Sequence, residues 1–297
     1  RRQRQMCIRD RFVSDSSKIS DQVKNKLVES GIDFEENSHQ KAKTLKPDFI
    51  VKSPGISDAN EIVKFFITAS VKIISEIEFA SLHCNSKIIG VTGSNGKTTI
   101  TTLAYKLISE GGYNCTISGN IGNSFSSVCE NDTDFSIVEV SSFQLDGIES
   151  FKPHIAILTA ITPDHLDRYK NFEAYVESKF KIIKNQSEKD YLIYDSDCET
   201  IDSYIKSNKI KSKLLPFSIK KKVDQGAYFF NNEINIITEN SSAALLLSEA
   251  ESKLSQMLEN TGLKLSNLST SSEQGKKHNT KNGNQDNTDK KMLAKDE

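Results

Sequence analysis

The segment from residue 87 to residue 110 constrains the fold more than any other part of the chain. It contains an apolar run, a glycine-rich turn, a lysine with two threonines and an amphipathic stretch: Lys87–Val91, Gly93–Gly96, Lys97, Thr98, Thr99 and Ile100–Glu110. A strand, a glycine turn and a helix in this order form a cradle for phosphate. Glycines let backbone N–H groups face the oxygens, and the helix N-terminus adds the positive end of its dipole. We therefore predict that residues 93–99 bind nucleotide phosphates, with Lys97 at the terminal phosphates and the Thr98 hydroxyl at Mg²⁺.

The loop departs from the strict P-loop pattern. That pattern has a glycine five positions before Gly96, where this chain has Val91. Since Gly-Lys-Thr triplets are common in loops, the alternative interpretation is a turn with a solvated lysine. The strand before the loop and the helix after it favour phosphate binding.

Short apolar runs alternate with helical patterns from residue 12 to about residue 230. The predicted strands are Phe12–Val13, Asp48–Val51, Val71–Ile74, Lys87–Val91, Thr116–Ser118, Phe135–Val140, Ile155–Leu158, Tyr191–Tyr194 and Leu214–Phe217. Helices are predicted over Lys18–Ser30, Ile100–Glu110, Phe172–Lys184 and Ser242–Glu259, and a further helix after a capping Asp58. This alternation predicts the α/β class with a parallel sheet.

Composition narrows the class of protein. The formal net charge of −1 argues against an obligatory nucleic-acid or anionic-membrane partner. No apolar run approaches the roughly 20 residues of a membrane span. The five cysteines are scattered and form no C-x-x-C pair, so that neither a disulfide framework nor a zinc site is indicated. A reducing, cytoplasmic setting is expected.

Further clusters follow the phosphate loop. Gly119-Asn-Ile-Gly122 comes after a predicted strand, and its composition alone favours an ordinary turn. Glu139 stands at the carboxyl end of a strand, where a metal-bound acid belongs, although such an acid can also cap a turn. His165 lies between Asp164 and Asp167 and is either a ligand or a structural histidine. Lys179 falls in a helical pattern, and by its pattern alone it is a solvated surface lysine.

Taken together, these motifs resemble the Mur ligase family. The resemblance rests on Gly-Val-Thr-Gly-Ser-Asn-Gly-Lys-Thr-Thr, Gly-Asn-Ile-Gly, Glu-Val-Ser-Ser-Phe-Gln-Leu, Asp-His-Leu-Asp-Arg-Tyr and Ala-Tyr-Val-Glu-Ser-Lys. It covers residues 12–233, and Ser-Ser-Phe-Gln-Leu favours the D-glutamate-adding members. It implies a partial Rossmann-like N-terminal domain (12–86) that binds the UDP substrate. An incomplete P-loop-type parallel-sheet ATPase domain (87–233) would follow.

The resemblance also implies roles for individual residues. ATP would contact Gly93, Ser94, Asn95, Gly96, Lys97, Thr98, Thr99 and Asn120. One Mg²⁺ would be held by Thr98 and Glu139, and a second by His165 and a carbamylated Lys179; Lys97, His165 and Lys179 would be catalytic. The substrate side would be lined by Ser53, Pro54, Gly55, Ser141, Phe143 and Gln144. The implied substrates are UDP-N-acetylmuramoyl-L-alanine and D-glutamate, joined through an acyl phosphate by a monomer during peptidoglycan synthesis.

The ends of the chain depart from the family pattern. Residues 1–11 are arginine-rich and are expected to be a non-native arm in place of the first βα unit. Residues 234–270 weakly resemble the C-terminal region of flagellar hook-length control proteins, and residues 271–297 have a composition that predicts disorder. The C-terminal amino-acid-binding domain of the family is not recognised. We therefore expect an inactive fragment or chimera without ligase turnover. The alternatives are a non-catalytic nucleotide-binding fragment and a folylpolyglutamate-synthase-like ligase.

Overall fold

The computed structural model describes residues 11–230, 233–238 and 255–256. The described residues fall into two compact units: residues 11–194 with Cys198–Lys213, and Asp195–Asp197 with the described residues from Leu214 onward. The predicted helix Ser242–Glu259 lies outside the described residues except for residues 255–256, which are helical. The predicted disordered tail and most of the arginine-rich arm also lie outside them. Among the described residues, no helix combines the length and apolar character that a membrane crossing requires.

The N-terminal part alternates short strands with short helices. Its elements are β1 (Phe12–Ser14), α1 (Asp21–Glu29), β2 (Asp33–Glu35), α2 (Gln40–Thr44), β3 (Phe49–Lys52), α3 (Glu61–Thr68), β4 (Lys72–Ser75) and α4 (Glu76–Ser81). Strand β1 pairs with β2, and β3 pairs with β4, both in parallel. These pairings confirm the predicted α/β class for this part of the chain.

The predicted cap of α3 is wrong. Asn60, not Asp58, caps the helix, since the Asn60 side chain accepts a hydrogen bond of 3.1 Å from the Ile62 N–H. A preceding turn, closed by a bond from the Asn60 N–H to the Ser57 carbonyl, delays the start of the helix. The Asp58 carboxylate instead pairs with the Lys52 ammonium at 2.6 Å.

The central part continues the alternation with longer elements. They are β5 (Lys87–Thr92), α5 (Lys97–Glu110), β6 (Cys115–Gly119), β7 (Phe135–Glu139), α6 (Ser142–Asp146), β8 (Ile155–Leu158), α7 (Phe172–Phe180), β9 (Tyr191–Asp195) and α8 (Glu199–Ser207). Short 3-10 turns occupy Phe125–Ser127 and Lys181–Ile183. The predicted helix over Phe172–Lys184 is therefore an α-helix followed by a 3-10 turn.

The central strands form a parallel sheet in the order β9-β8-β5-β7-β6. Its interior residues are inaccessible to solvent, including Val91, Ile137 and Leu158. Runs of apolar residues suit such strands because helices cover both faces of the sheet. Val91 pairs with Glu139, and Thr92 pairs with Leu158, so the carboxyl ends of β5, β7 and β8 lie side by side. The loops that follow these three strands therefore meet at one edge, where ligands bind in open α/β sheets.

The second unit contains an antiparallel pair that lies beyond the last predicted strand, Leu214–Phe217. Strands β10 (Lys213–Ser218) and β11 (Gly226–Phe230) are parallel, whereas β11 and β12 (Glu233–Ile237) are antiparallel. Only two residues separate β11 from β12 in the sequence. A connection of that length suits a hairpin, since parallel neighbours need a crossover of a dozen or more residues.

A buried carboxylate fastens the N-terminal part to the central part. Glu78 of α4 is 1% exposed and accepts hydrogen bonds from the N–H groups of Glu149, Ser150 and Phe151 and from the Ser150 hydroxyl. Burial raises the pKa of Glu78, but the hydrogen bonds outweigh it and hold the pKa below its usual value. This carboxylate therefore fixes α4 against the segment that follows α6.

Candidate active site

The phosphate loop joins β5 to α5 through two glycines that other residues cannot replace freely. Gly93 has φ 149°, and a Cβ atom built there would lie 1.7 Å from the Thr159 hydroxyl oxygen. Gly96 has φ 80°, in the left-handed region, and immediately precedes the helix. The helix begins at Lys97, three residues earlier than predicted, so Lys97, Thr98 and Thr99 form its first turn. The first backbone N–H groups of a helix have no partner within it and can therefore bind anions.

The Lys97 side chain folds back over this loop. Its ammonium donates to the Gly93 carbonyl at 3.0 Å and to the Ser94 carbonyl at 2.8 Å. The neighbouring Asn95 and Thr99 side chains are exposed. A cation above a glycine loop and a helix N-terminus has the arrangement needed to neutralise phosphate oxygens.

Glu139 is the buried carboxylate at the end of β7. It is 1% exposed; one oxygen accepts from the Thr98 hydroxyl at 2.8 Å and the other from the Asn120 amide at 2.9 Å. Asn120, which the family resemblance assigns to the nucleotide, thus contacts Glu139 directly. Carboxylate and hydroxyl oxygens of this kind suit Mg²⁺.

Lys179 is buried, so the alternative of a solvated surface lysine is wrong. It is 2% exposed, and its ammonium donates to the Gly93 carbonyl at 2.8 Å and approaches the Thr92 hydroxyl at 3.5 Å. Burial, and secondarily the charge of Lys97, lower the pKa of Lys179 from 10.5 to about 7. A substantial fraction of this amine is therefore uncharged at neutral pH.

His165 stands in a strained turn after β8. Its φ is 51°, and its backbone N–H donates to the Asp164 carboxylate at 2.9 Å. The ring lies 5.0 Å from the Phe143 ring and 6.4 Å from the Tyr175 ring, while the Lys179 ammonium lies 5.3 Å from the same tyrosine. His165 and Lys179 are thus neighbours of one aromatic ring. Across the described residues, no three side chains of His, Cys, Asp or Glu converge on a point that could hold a metal.

The segment Ser53–Gly55 forms the turn after β3 and contacts the His165 loop. Arg168 donates to the Pro54 carbonyl at 3.4 Å and to the Gly55 carbonyl at 3.3 Å, and its guanidinium lies 4.2 Å from the Phe143 ring. Pro54 and Phe143 line a cleft of about 480 Å³ between the N-terminal and central parts. A cleft of this size is within the range of small-molecule sites.

Ser141 and Gln144 build the start of α6. The Ser141 hydroxyl accepts from the Gln144 N–H, and the Gln144 side chain accepts from the Ser141 N–H at 2.9 Å. This reciprocal capping box satisfies two donors at the helix N-terminus. Both side chains therefore stabilise the first turn of α6, which carries Phe143.

Two contacts of the phosphate loop were not identified from the sequence. The Thr159 hydroxyl donates to the Asn95 carbonyl at 2.7 Å, and the Tyr175 hydroxyl lies 2.9 Å from the Ser94 hydroxyl. Thr159 directly follows β8, and Tyr175 lies one helical turn before Lys179. A search of strand ends and of the helix face shared with Lys179 would have found both.

Comparisons with known proteins identify the family of the chain. The family model described as Mur ligase middle domain matches residues 91–259. This match extends past residue 234, where the sequence predicts a domain boundary; that boundary stays a prediction. A UDP-N-acetylmuramoylalanine–D-glutamate ligase from Christiangramia forsetii is 47% identical over 242 residues, covering 81% of this chain and 54% of the relative. A ligase of the same name from Bacteroides fragilis is 41% identical over 232 residues, which cover 77% of this chain and 52% of the relative. The chain thus spans about half the length of these curated relatives.

A solved structure supports the fold. The UDP-N-acetylmuramate:L-alanyl-gamma-D-glutamyl-meso-diaminopimelate ligase from Neisseria meningitides aligns with a TM-score of 0.51 at 15% identity, covering 75% of each chain. At that identity the likeness concerns the fold alone. The family model covers more than half of the chain and includes β5 from Val91 onward, the phosphate loop, Glu139 and Lys179. The chain therefore belongs to the Mur ligase family.

Proposed function

We propose that this chain is part of an ATP-dependent, amide-forming ligase that adds D-glutamate to UDP-N-acetylmuramoyl-L-alanine in peptidoglycan synthesis. The names of the relatives from Christiangramia forsetii and Bacteroides fragilis support the substrates. The observation that carries the proposal is the meeting of Lys97, the α5 N-terminus and the Thr98–Glu139 pair at one sheet edge. The cytoplasmic setting and the monomeric state expected from the sequence belong to the same proposal.

In this function the phosphate loop binds the ATP phosphates. The backbone N–H groups of the first turn of α5 and the Lys97 ammonium neutralise phosphate charge. Lys97 exchanges its bonds to the Gly93 and Ser94 carbonyls for bonds to phosphate oxygens. Since the carbonyls of this loop attract the cation weakly compared with an anion, the exchange favours nucleotide binding.

Thr98 and Glu139 are the residues that would hold Mg²⁺. Their oxygens are already 2.8 Å apart, and Glu139 is held by the Asn120 amide. Bound Mg²⁺ supplies positive charge that neutralises the transferring phosphoryl group. The Asn120 contact fixes the orientation of the carboxylate, as partners of metal ligands generally do.

Lys179 and His165 form the second ligand pair of the proposal. An ammonium cannot ligate a cation, so Lys179 must first react with CO₂, forming an N–C bond and releasing a proton. Its pKa of about 7 supplies the uncharged amine that this reaction needs. The product is an anionic carbamate, whose oxygens are suited to Mg²⁺.

The reaction then follows from positioning and charge neutralisation. An oxygen of the L-alanine carboxylate attacks the γ-phosphorus of ATP, the bond to the β-phosphate oxygen breaks, and ADP leaves. The amine of D-glutamate attacks the acyl carbon of the resulting acyl phosphate, loses a proton, and phosphate leaves. The chain holds the reacting groups in line and surrounds the transferred phosphoryl group with positive charge.

The cleft lined by Pro54 and Phe143 is the proposed place of the UDP-sugar substrate. Ser53 and Gly55 belong to the same turn, and Arg168 fixes that turn against Phe143. Ser141 and Gln144 support this wall through their capping box.

The decisive test is Mg·ATP affinity measured by isothermal titration calorimetry. We expect Lys97→Ala to weaken binding by roughly tenfold or more, because a charge-assisted hydrogen bond contributes about 1.5–3 kcal/mol. Lys106→Ala is the matched control, since Lys106 is an exposed lysine on the same helix. Equal affinities for the parent chain and Lys97→Ala would overturn the nucleotide site. ADP release that requires both UDP-N-acetylmuramoyl-L-alanine and D-glutamate would test turnover.

A further inference from the structure

The Ser94 hydroxyl in the phosphate loop is fully engaged by protein groups. It donates to the Thr162 carbonyl at 2.9 Å, accepts from the Thr162 N–H at 3.0 Å, and lies 2.9 Å from the Tyr175 hydroxyl. Ser94 is 7% exposed. A hydroxyl has one proton and two lone pairs, so with Tyr175 as donor these three bonds use its whole capacity. The side chain therefore has no capacity left for a phosphate oxygen.

The partners of Ser94 lie on the two elements that carry the other proposed catalytic groups. Thr162 is three residues before His165, in the loop that follows β8. Tyr175 is on α7, one turn before Lys179. One hydroxyl thus joins the phosphate loop to both elements.

Backbone contacts strengthen the connection to the loop after β8. The Ser94 N–H donates to the Ala160 carbonyl at 2.9 Å, and the Thr159 hydroxyl donates to the Asn95 carbonyl at 2.7 Å. Residues 93–95 and 159–162 are therefore held together along their length. A shift of either segment would therefore have to break these bonds or carry the other segment with it.

We propose that Ser94 is a positioning residue that couples the phosphate loop to the His165 loop and to α7. Phosphates bound at the loop would then order His165 and Lys179 at the same time. The choice of a nucleotide phosphate as the ligand rests on the proposed function, whereas the coupling between the segments can be measured without any ligand. Removing the hydroxyl leaves the Thr162 N–H, the Thr162 carbonyl and the Tyr175 hydroxyl without this partner.

Hydrogen exchange followed by mass spectrometry on the full chain tests the coupling. Without ligand, we expect Ser94→Ala to speed exchange in residues 160–168 roughly tenfold, because the Thr162 N–H and the buried Tyr175 hydroxyl lose the bonds that hold this loop to residue 94. Ser118→Ala is the matched control, since Ser118 is inaccessible to solvent and its hydroxyl oxygen has no hydrogen-bond partner within the described residues. Unchanged exchange of residues 160–168 in Ser94→Ala would overturn the proposal.

A second arm uses Mg·ADP. In the parent chain, bound Mg·ADP should slow hydrogen exchange in residues 93–98 and in residues 160–168. In Ser94→Ala, Mg·ADP should slow exchange only in residues 93–98. If Mg·ADP slows exchange in both segments of Ser94→Ala, or in neither, the result would contradict the coupling, since a variant that is only less stable would behave in this way. If the parent chain shows no protection, the proposed function fails while the ligand-free arm still decides the coupling. Should Ser94→Ala not fold, Tyr175→Phe removes one of the three bonds and should raise exchange at 160–168 by a smaller factor.

Discussion

Replacing Lys179 by methionine should change the pH dependence of stability in a defined direction. The pKa of Lys179 falls from 10.5 to about 7 on folding, mainly because the side chain is buried. At about 1.4 kcal/mol per pKa unit, burying the charged form costs on the order of 5 kcal/mol below pH 7. The unfolded chain binds more protons than the folded chain between pH 7 and pH 10.5, so the parent must become more stable as pH rises through this window.

We therefore expect Lys179→Met to be more stable than the parent at pH 7. The difference should narrow by about 2 kcal/mol between pH 7 and pH 9, since the parent loses the cost of the buried charge while the variant has none. Urea denaturation in CO₂-free buffer, followed by circular dichroism, measures the free energy of unfolding of each protein at each pH. Lys184→Met serves as the control, because Lys184 is an exposed lysine shortly after the same helix.

Parallel pH profiles for the parent and Lys179→Met would refute this reasoning. Other groups titrate in the same range, but they do so in both proteins and cancel in the comparison. Added bicarbonate should stabilise only the parent, as expected for a carbamate on Lys179. An equal response of the variant would instead indicate a general salt effect.

Two further predictions concern packing and hydrogen bonding. Glu78→Gln should destabilise the chain by about 1–3 kcal/mol in urea denaturation, because an amide cannot accept from all the backbone donors of Glu149, Ser150 and Phe151. Because the pKa of Glu78 is lowered in the folded state, the parent should lose this stabilisation as pH falls below 4.5 and through the folded-state pKa, whereas the variant should not. Identical acid denaturation curves for the two proteins would contradict this prediction. Gly93→Ala should abolish Mg·ATP binding in calorimetry and lower stability by roughly 1–3 kcal/mol, because its Cβ would overlap the Thr159 hydroxyl. Undiminished affinity in this variant would show that the loop can shift without loss of function.

The phosphate loop and the order of strands could be predicted from the sequence because their signals are local. Apolar runs, glycines and the Lys97–Thr99 triplet lie within a few residues of one another, and each restricts the backbone directly. The start of α5 and the cap of α3 were misplaced by two or three residues. Both depend on turn hydrogen bonds, such as that from the Asn60 N–H to the Ser57 carbonyl, that residue types alone do not specify.

The second unit shows the same limit at a larger scale. The predicted strands end with Leu214–Phe217, whereas the structure adds β11 and β12 as an antiparallel hairpin. Neither strand was predicted, and Gly226–Phe230 is only partly buried. Short, partly exposed strands give weak periodic signals, and their partners decide whether they form.

Sequence alone determined the α/β class, the order of strand, glycine loop and helix around Lys97, and the Mur ligase resemblance. Tertiary structure alone decided the state of Lys179, because its burial and its bond to the Gly93 carbonyl join positions 86 residues apart. It likewise decided that Ser94 bonds to Thr162 and Tyr175, and that Asn120 bonds to Glu139. The physical reason is that desolvation and hydrogen-bond partners depend on which segments meet at the sheet edge. Local patterns locate each residue on its element, but they do not contain the distances between elements.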